Sequence, residues 1–426
     1  MNVHDSEKLE DLLRQYGGEV TRDESTADVI VLNTCAVRAK AEQKVYSRLG
    51  RLSHLKQKRP DLKLVIAGCM AQAWGSRILE RAPYVDVIVG PGSLFRIPEI
   101  LREMHGEEAT DPQPVVEVVE PSAFLDVEPR HIGKPRTHHA WITVMEGCDN
   151  FCSYCVVPYV RGRERSRREI DIIEEIEHLV TLGVREITLL GQNVNSYRGE
   201  NGSFANLLRM LDSITGLLRI RFTTSHPKDV SQELIAAIAE LPKVCEYLHF
   251  PAQSGSDTVL TRMKRGYSRA DYIDKVASIR DRIPGIAMSS DFIVGFPGET
   301  EADFEETLDL VNRVQYDSIF AFHYSVRPMT AAARFPDDVT HADKLARLER
   351  LITLQRSISL ALNSQSIGSV VEVLVEGTAR RGEGKLTGRT RQNRIVNFTG
   401  DAQISSLQPV RIESVSPNCL YGTSVG

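Results

Sequence analysis

The 426-residue chain has no run of about 18 or more apolar residues, which excludes an ordinary membrane-spanning helix. Its first residues, MNVHDSEKLEDLL, lack a basic region followed by an apolar one, so nothing there reads as a signal peptide. A formal net charge of −5 gives no global basic field, so any nucleic-acid surface has to be a local patch. GFPG at 295–298 is no dinucleotide fingerprint and GEGKLTG at 382–388 fails the Walker pattern, so no nucleoside triphosphate site is implied. Cysteine is scarce. Seven of them, an odd number, argue for thiolate or metal chemistry rather than a disulfide framework, and for a reducing cytoplasm.

What is present is a soluble globular composition, 42% hydrophobic and 26% charged, on a chain long enough for two or three domains. Residues 1–106 alternate helical segments with the short apolar runs ADVIVLNTC, LKLVIAGC and VDVIVG, the pattern of a parallel α/β domain. Residues 107–135 hold five prolines and seven acidic residues with little periodicity and read as a linker. Residues 136–363 alternate strand and helix signals six times, with strands in AWITVME, REITLLG, RIRFTT, CEYLHF, IAMSSDFIVG and YDSIFAFHY. Six βα units make an open, partial barrel whose reactive groups belong at the strands' C-terminal edge. From 364 to 426 the period changes to two over five short strands, as in a small antiparallel β-barrel. The fold class is therefore multidomain α/β with a C-terminal β-barrel.

The segment MEGCDNFCSYCVVPYVRGRERSRRE, residues 145–169, sets Cys148, Cys152 and Cys155 in a C-x3-C-x2-C pattern. At this cysteine content the pattern would arise by chance about 0.002 times, so it asks for a chemical reason. Structural zinc pairs two separated Cys/His doublets, and no second doublet lies nearby. Three thiolates on one loop suit a cubane iron–sulfur cluster, and three ligands for four irons leave one iron open to substrate. Cys35 and Cys69 each end a strand run and precede a helical segment. They sit at one sheet edge, where helix N-termini favour thiolates. Either cysteine alone reads as a small buried hydrophobe. Cys245 and Cys419 read as packing residues.

These motifs, together with LLGQNVNSY, IRFTTSHP, LHFPAQSGSDTVLTRMKRGY and SSDFIVGFPGET, resemble the radical S-adenosylmethionine (SAM) methylthiotransferase family along almost the whole chain. CVVPYVRGRE, TLLGQNVNSY and RIVNF are closer to its MiaB-type, tRNA-modifying branch than to its ribosomal-protein branch. The resemblance implies a flavodoxin-like N-terminal domain, a (βα)6 radical SAM barrel and an OB-like TRAM domain that binds RNA. It further implies methylthiolation of C2 of an isopentenyl-modified adenosine next to the anticodon, with two SAM and two 4Fe–4S clusters. Cys148, Cys152 and Cys155 would be the catalytic cluster's ligands. Cys35 and Cys69 would serve the second cluster, whose third cysteine the family carries in a turn after an N-terminal strand. This sequence starts as if at the Met-Asn of that turn, so the second cluster is expected to be incomplete as written.

Gly191, Gln192 and Asn193 end the second barrel strand, and Gln253, Ser254 and Asp291 belong to the fourth and fifth. These positions are expected to meet SAM or the adenine, against the plainer reading that they only form turns. Two arginine-rich stretches are expected RNA contacts: Arg161 and Arg163 after the cysteines, and Arg380, Arg381, Lys385, Arg389, Arg391 and Arg394 in the small barrel. The plain alternative is solvated surface charge. Expected partners are tRNA, SAM, a one-electron donor such as flavodoxin or ferredoxin, and a sulfur donor. No membrane is expected, and the chain is expected to be a monomer. The competing functions are methylthiolation of another tRNA adenosine or of a ribosomal protein, and a non-catalytic iron–sulfur RNA-binding protein.

Overall fold

The computed structural model describes residues 2–36, 39–104, 113–119, 138–380 and 384–425. They form two compact units. The first contains Met1–Gly133, Glu146–Arg167 and Ser325–Ala333; the second contains Lys134–Met145, Arg168–Tyr324 and Arg334–Gly426. Residues 146–167, which the sequence assigned to the barrel, group with the N-terminal residues.

The first unit is built on strands β1 (Val29–Thr34), β2 (Lys63–Gly68), β3 (Val87–Val89) and β4 (Val115–Glu117), all parallel in the order β1-β2-β3-β4. Helices α1 (Asn2–Gln15), α2 (Ala39–Lys58) and α3 (Cys69–Trp74) accompany the strands, and α4 (Val157–Arg161) follows the cysteine loop. The strands are continuously apolar because both sheet faces are covered. Val65 and Ala67 pack with Leu9 and Ile97 on one side, while Ile66 and Ile88 pack with Leu49 and Ile78 on the other. Strand β4 corrects the expected linker: Val115 donates its N–H to Asp86 at 2.8 Å and closes the sheet. Three residues are too few to show a period. The rest of the expected linker lies largely outside the described residues.

In the second unit all six expected barrel strands form. They are β5 (His139–Thr143), β6 (Glu186–Leu190), β7 (Arg219–Phe222), β8 (Tyr247–His249), β9 (Ala287–Val294) and β10 (Ser318–His323). They make two parallel three-stranded sheets, β5-β6-β7 and β8-β9-β10. A bridge between Ile220 and Val244 and a 3.0 Å bond from Cys245 N–H to the Ile220 carbonyl join them. Helices α5 (Glu169–Thr181) and α6 (Glu301–Val314) lie between strands; Thr300 and Asp303 form a capping box that starts α6. The 24-residue α7 (His341–Ser364) packs on the edge strand β10.

Strands β11 (Val370–Thr378), β12 (Leu386–Arg389), β13 (Ile395–Thr399), β14 (Leu407–Val415) and β15 (Leu420–Ser424) close a barrel in the order β11-β12-β13-β15-β14. Alternate residues Val373, Val375, Val396, Phe398, Val410 and Ile412 fill it. The expected all-antiparallel pairing fails at one seam, where β13 and β15 run parallel. Geometry requires it, since an odd number of strands in a ring cannot alternate direction throughout. Among the described residues no helix is long and apolar enough to cross a membrane.

Candidate metal centre and nucleic-acid surface

In the first unit the cysteine loop is tied at its base. Cys148 N–H bonds the Gly162 carbonyl at 3.2 Å, and Asp149 and Glu164 exchange backbone-to-carboxylate bonds at 3.3 Å. Gly147 has φ +80°, and a Cβ there would lie 1.9 Å from the Arg163 carbonyl oxygen, so only glycine permits this approach. Phe151 takes φ +46°, a strained conformation that the surrounding contacts must hold in place. Cys155 N–H turns back to the Cys152 carbonyl at 3.0 Å before α4 begins. Cys152 is buried; Cys148 and Cys155 are half-buried. Burial pushes the Cys148 thiol up, while hydrogen bonds from Asn150, whose Nδ2 lies 3.4 Å from Sγ, pull it down. Among the described residues no three thiol, imidazole or carboxyl groups converge on a single ion. Three soft thiolates on a glycine-hinged loop are a donor set that a multi-iron cluster accepts.

Strand register brings the second group of cysteines together. Thr34 pairs with Gly68 across β1 and β2, so Cys35 and Cys69 follow at the same level. Cys69 is buried, and desolvation pushes its thiol up; the strongest opposing influence is Arg161. That guanidinium, only 3% exposed, places Nε 3.3 Å from Cys69 Sγ and Nη1 3.2 Å from Glu146, and Nη2 bonds Asp5. This corrects the expected RNA role of Arg161. Two carboxylates and a thiol occupy its donors, and no surface is left for phosphate.

A second guanidinium, missed by sequence reasoning, faces Cys35. Arg327 is 7% exposed, pairs with Glu42 at 3.2 Å and lies within electrostatic reach of Cys35. Among the described residues its Nε and Nη2 are buried with no partner. Burial pulls its pKa down, and Glu42 and Cys35 oppose that. Orphaned buried donors are costly, so this pocket suits an anionic occupant such as a thiolate-bound cluster. The donor set supplies two of the three thiolates that the resemblance implies for the second cluster, and its surroundings carry the matching charge.

In the second unit the polar strand ends are less uniform than expected. Gly191 packs against Met145, whose Cγ lies 2.6 Å from where a Cβ would stand. Asn193 is buried; its Oδ1 accepts from His226 N–H at 3.0 Å and its Nδ2 donates to Asp229 at 2.7 Å. Ser254 is buried against Thr307 at 3.3 Å and Ser256 N–H at 3.2 Å. Internal hydrogen bonds engage both side chains, so they position turns, the plainer of the two expectations. Gln192 is half-buried. Gln253 sits at φ +74°, donates its N–H to the Asp291 carbonyl at 2.8 Å and accepts from Ile293 at 2.9 Å. Asp291 accepts from His249 Nε2 at 3.3 Å, and Ser289 joins His249 Nδ1 at 2.8 Å to the Tyr247 hydroxyl at 2.6 Å. The signal for this overlooked network was polar alternation: Tyr247 with His249, and Ser289 with Asp291, each two apart on facing strands.

The small barrel's arginines divide sharply. Arg391 grips Glu246 at 2.6 Å and the carbonyls of Pro242 and Val244, and Arg394 grips Asp317 at 2.7 Å. From the other side Arg219 reaches the Arg389 carbonyl at 2.7 Å, and Arg221 reaches those of Arg391 and Thr390. These contacts fasten the small barrel to the strands' N-terminal ends, opposite the edge that carries Gly191. Arg391 and Arg394 are thus struts, not free phosphate ligands. Arg389 pairs with Glu376 at 3.0 Å. Arg380 is exposed and Lys385 half-exposed; Arg381 lies outside the described residues. Arg163 is 67% exposed, pairs with Asp149 at 2.9 Å and lies over the Phe151 ring at 5.5 Å from its centroid.

The chain matches the radical SAM superfamily over residues 142–311, the uncharacterized protein family UPF0004 over 1–90 and the TRAM domain over 365–425. It is 52% identical to a tRNA-2-methylthio-N(6)-dimethylallyladenosine synthase of Geobacter metallireducens, covering 99% of this chain and 95% of the relative. It is 48% identical to the Moorella thermoacetica protein of the same name, covering 100% and 96%. Among solved structures it is similar in fold to the radical SAM methyltransferase TsrM of Kitasatospora setae. That match has a TM-score of 0.55 at 15% identity and covers 90% of this chain and 74% of the other. A triple-cysteine loop, a six-stranded parallel barrel and a closed five-stranded module thus meet full-length identity, and the chain belongs to the tRNA-2-methylthio-N(6)-dimethylallyladenosine synthase family of radical SAM enzymes.

Proposed function

We infer that this chain is a tRNA methylthiotransferase that replaces the C2 hydrogen of an isopentenyl-modified adenosine, next to the anticodon, with a methylthio group. The single observation that carries this reading is the 52% identity over 99% of the chain. C2–H is neither acidic nor electrophilic, so acid–base groups gain little and a radical is needed. Cys148, Cys152 and Cys155 would hold a 4Fe–4S cluster, which when bound supplies the electron for SAM cleavage to methionine and a 5′-deoxyadenosyl radical. The glycine-hinged loop fixes the three thiolates, and Asn150 donates to Cys148.

On the barrel, Asp291, oriented by His249, and the strained Gln253 present polar groups to SAM or the adenine. Asn193 and Asn195 hold the His226 turn by accepting its N–H. Cys35 and Cys69 would contribute thiolates to a second cluster that handles the donated sulfur, with Arg161 and Arg327 balancing its charge. A second SAM supplies the methyl group, and a flavodoxin- or ferredoxin-type protein supplies electrons. We assign residues 1–106 with strand β4, 136–363 and 364–426 to the methylthiotransferase, radical SAM and TRAM domains of a cytoplasmic monomer. The test is anaerobic reconstitution with iron, sulfide, SAM, reductant and isopentenylated tRNA. 5′-Deoxyadenosine together with the methylthiolated nucleoside supports the reading; 5′-deoxyadenosine with unaltered tRNA would redirect it to another substrate.

A further inference from the structure

Within the second unit a cleft of about 590 Å³ opens where β10, α7 and two loops of the small barrel meet. Its wall carries Arg356, Arg389 and Arg394; Arg394 engages Asp317 at 2.7 Å and Arg389 engages Glu376 at 3.0 Å, which leaves Arg356 as the cation without a carboxylate among the described residues. Arg356 is exposed on α7 and forms no ion pair among the described residues. On a chain of net charge −5 this is a local cationic site.

Phe320, 49% exposed, lies in the cleft; it stands edge-on to His249 at 5.9 Å and leaves ring surface uncovered. It pairs in register with Asp291, so the cleft adjoins the polar network of the barrel interior. Gln355 is buried in the wall. Its Nε2 is satisfied by the Tyr316 carbonyl at 2.6 Å and by Ser359, yet its Oε1 has no partner among the described residues. Asn393 and Asn418 add amides. An aromatic platform, cations and amides are the elements with which proteins hold single-stranded nucleic acid.

We propose that this cleft holds one unstacked nucleotide of the substrate tRNA, its base on Phe320 and its phosphate on Arg356. The proposal rests on the tRNA-modifying reading above. It places an RNA contact at the seam between the two barrels, where the docked Arg391 and Arg394 cannot serve.

The test measures binding of isopentenylated tRNA to the full chain over a salt series. Arg356→Glu should weaken binding about tenfold at low salt and reduce the log–log salt slope by about 0.7–0.9. Phe320→Ala should weaken it roughly five- to a hundredfold with the slope unchanged, the effect of losing one stacked base. Circular dichroism melting confirms that both variants are folded. Cys419 lines the cleft and gives a local footprint. Bound tRNA should slow its alkylation by N-ethylmaleimide, and adenosine monophosphate at the same concentration should not. Equal protection by the mononucleotide would overturn the proposal in favour of a free-nucleotide site. Wild-type affinity and slope in both variants would overturn it while leaving tRNA modification intact. A wild-type chain that binds no tRNA would defeat the parent reading instead.

Discussion

The two groups of cysteines are assembled by opposite means. Cys148, Cys152 and Cys155 are neighbours in sequence, and a loop hinged at Gly147 needs only local backbone bonds to gather them. Cys35 and Cys69 stand 34 residues apart and meet because Thr34 pairs with Gly68. The first group has an asparagine beside it; the second has two buried guanidiniums. A locally built site carries its chemistry in its spacing. One built by sheet register also depends on residues such as Arg161 and Arg327 that arrive from far along the chain.

The sharpest way to break this contrast is to remove thiolates from each group. Cys148→Ala, Cys152→Ala or Cys155→Ala should each lower 5′-deoxyadenosine formation by more than about a hundredfold, beyond what a lost second-shell partner costs. Cys35→Ala and Cys69→Ala should keep SAM cleavage and lose methylthio transfer. Equal loss of both activities in every variant would erase the distinction.

Next in size is the arginine run. Arg161→Met takes the cation from buried Asp5 and leaves Glu146 with Arg165, and should cost about 3–5 kcal/mol in denaturant unfolding. Arg163→Met, two residues away and 67% exposed, should stay within about 0.5 kcal/mol. Similar losses for the two would refute the buried assignment.

These two arginines also mark how far the sequence could be read. All six barrel strands and all five strands of the small barrel were legible, because alternation and apolar runs report which faces are covered. The triple cysteine stood out because its spacing is local. The fates of Arg161, Arg391 and Arg394 were not, since a basic run looks the same whether water or a distant carboxylate meets it. Glu246 is 145 residues from Arg391, and no local pattern pairs them. The partners of Asn193 and Ser254 were hidden for the same reason: their polar groups meet His226, Asp229 and Thr307. Strand β4 was hidden by its brevity.

A smaller effect lies in the barrel unit. Burial drives the pKa of His139 from 6.5 down to about 4, and burial lowers His138 and His226 as well. The unfolded chain therefore takes up protons first as pH falls. Stability should drop between pH 6.5 and about 4, by up to roughly 3 kcal/mol for His139, and its share should level off below that. Thermal melting of wild type and His139→Gln across this window checks the sign: the variant should show the shallower decline.

The claim on which everything else depends is the reaction itself, and nucleoside mass spectrometry of tRNA reads it most directly. A strain lacking this gene should accumulate isopentenyladenosine without its 2-methylthio form. The full chain should restore the methylthiolated nucleoside, whereas its Cys148→Ala, Cys152→Ala or Cys155→Ala variant should not. Undiminished 2-methylthio nucleoside in the deletion strain, or restoration by the cysteine variants, would contradict it.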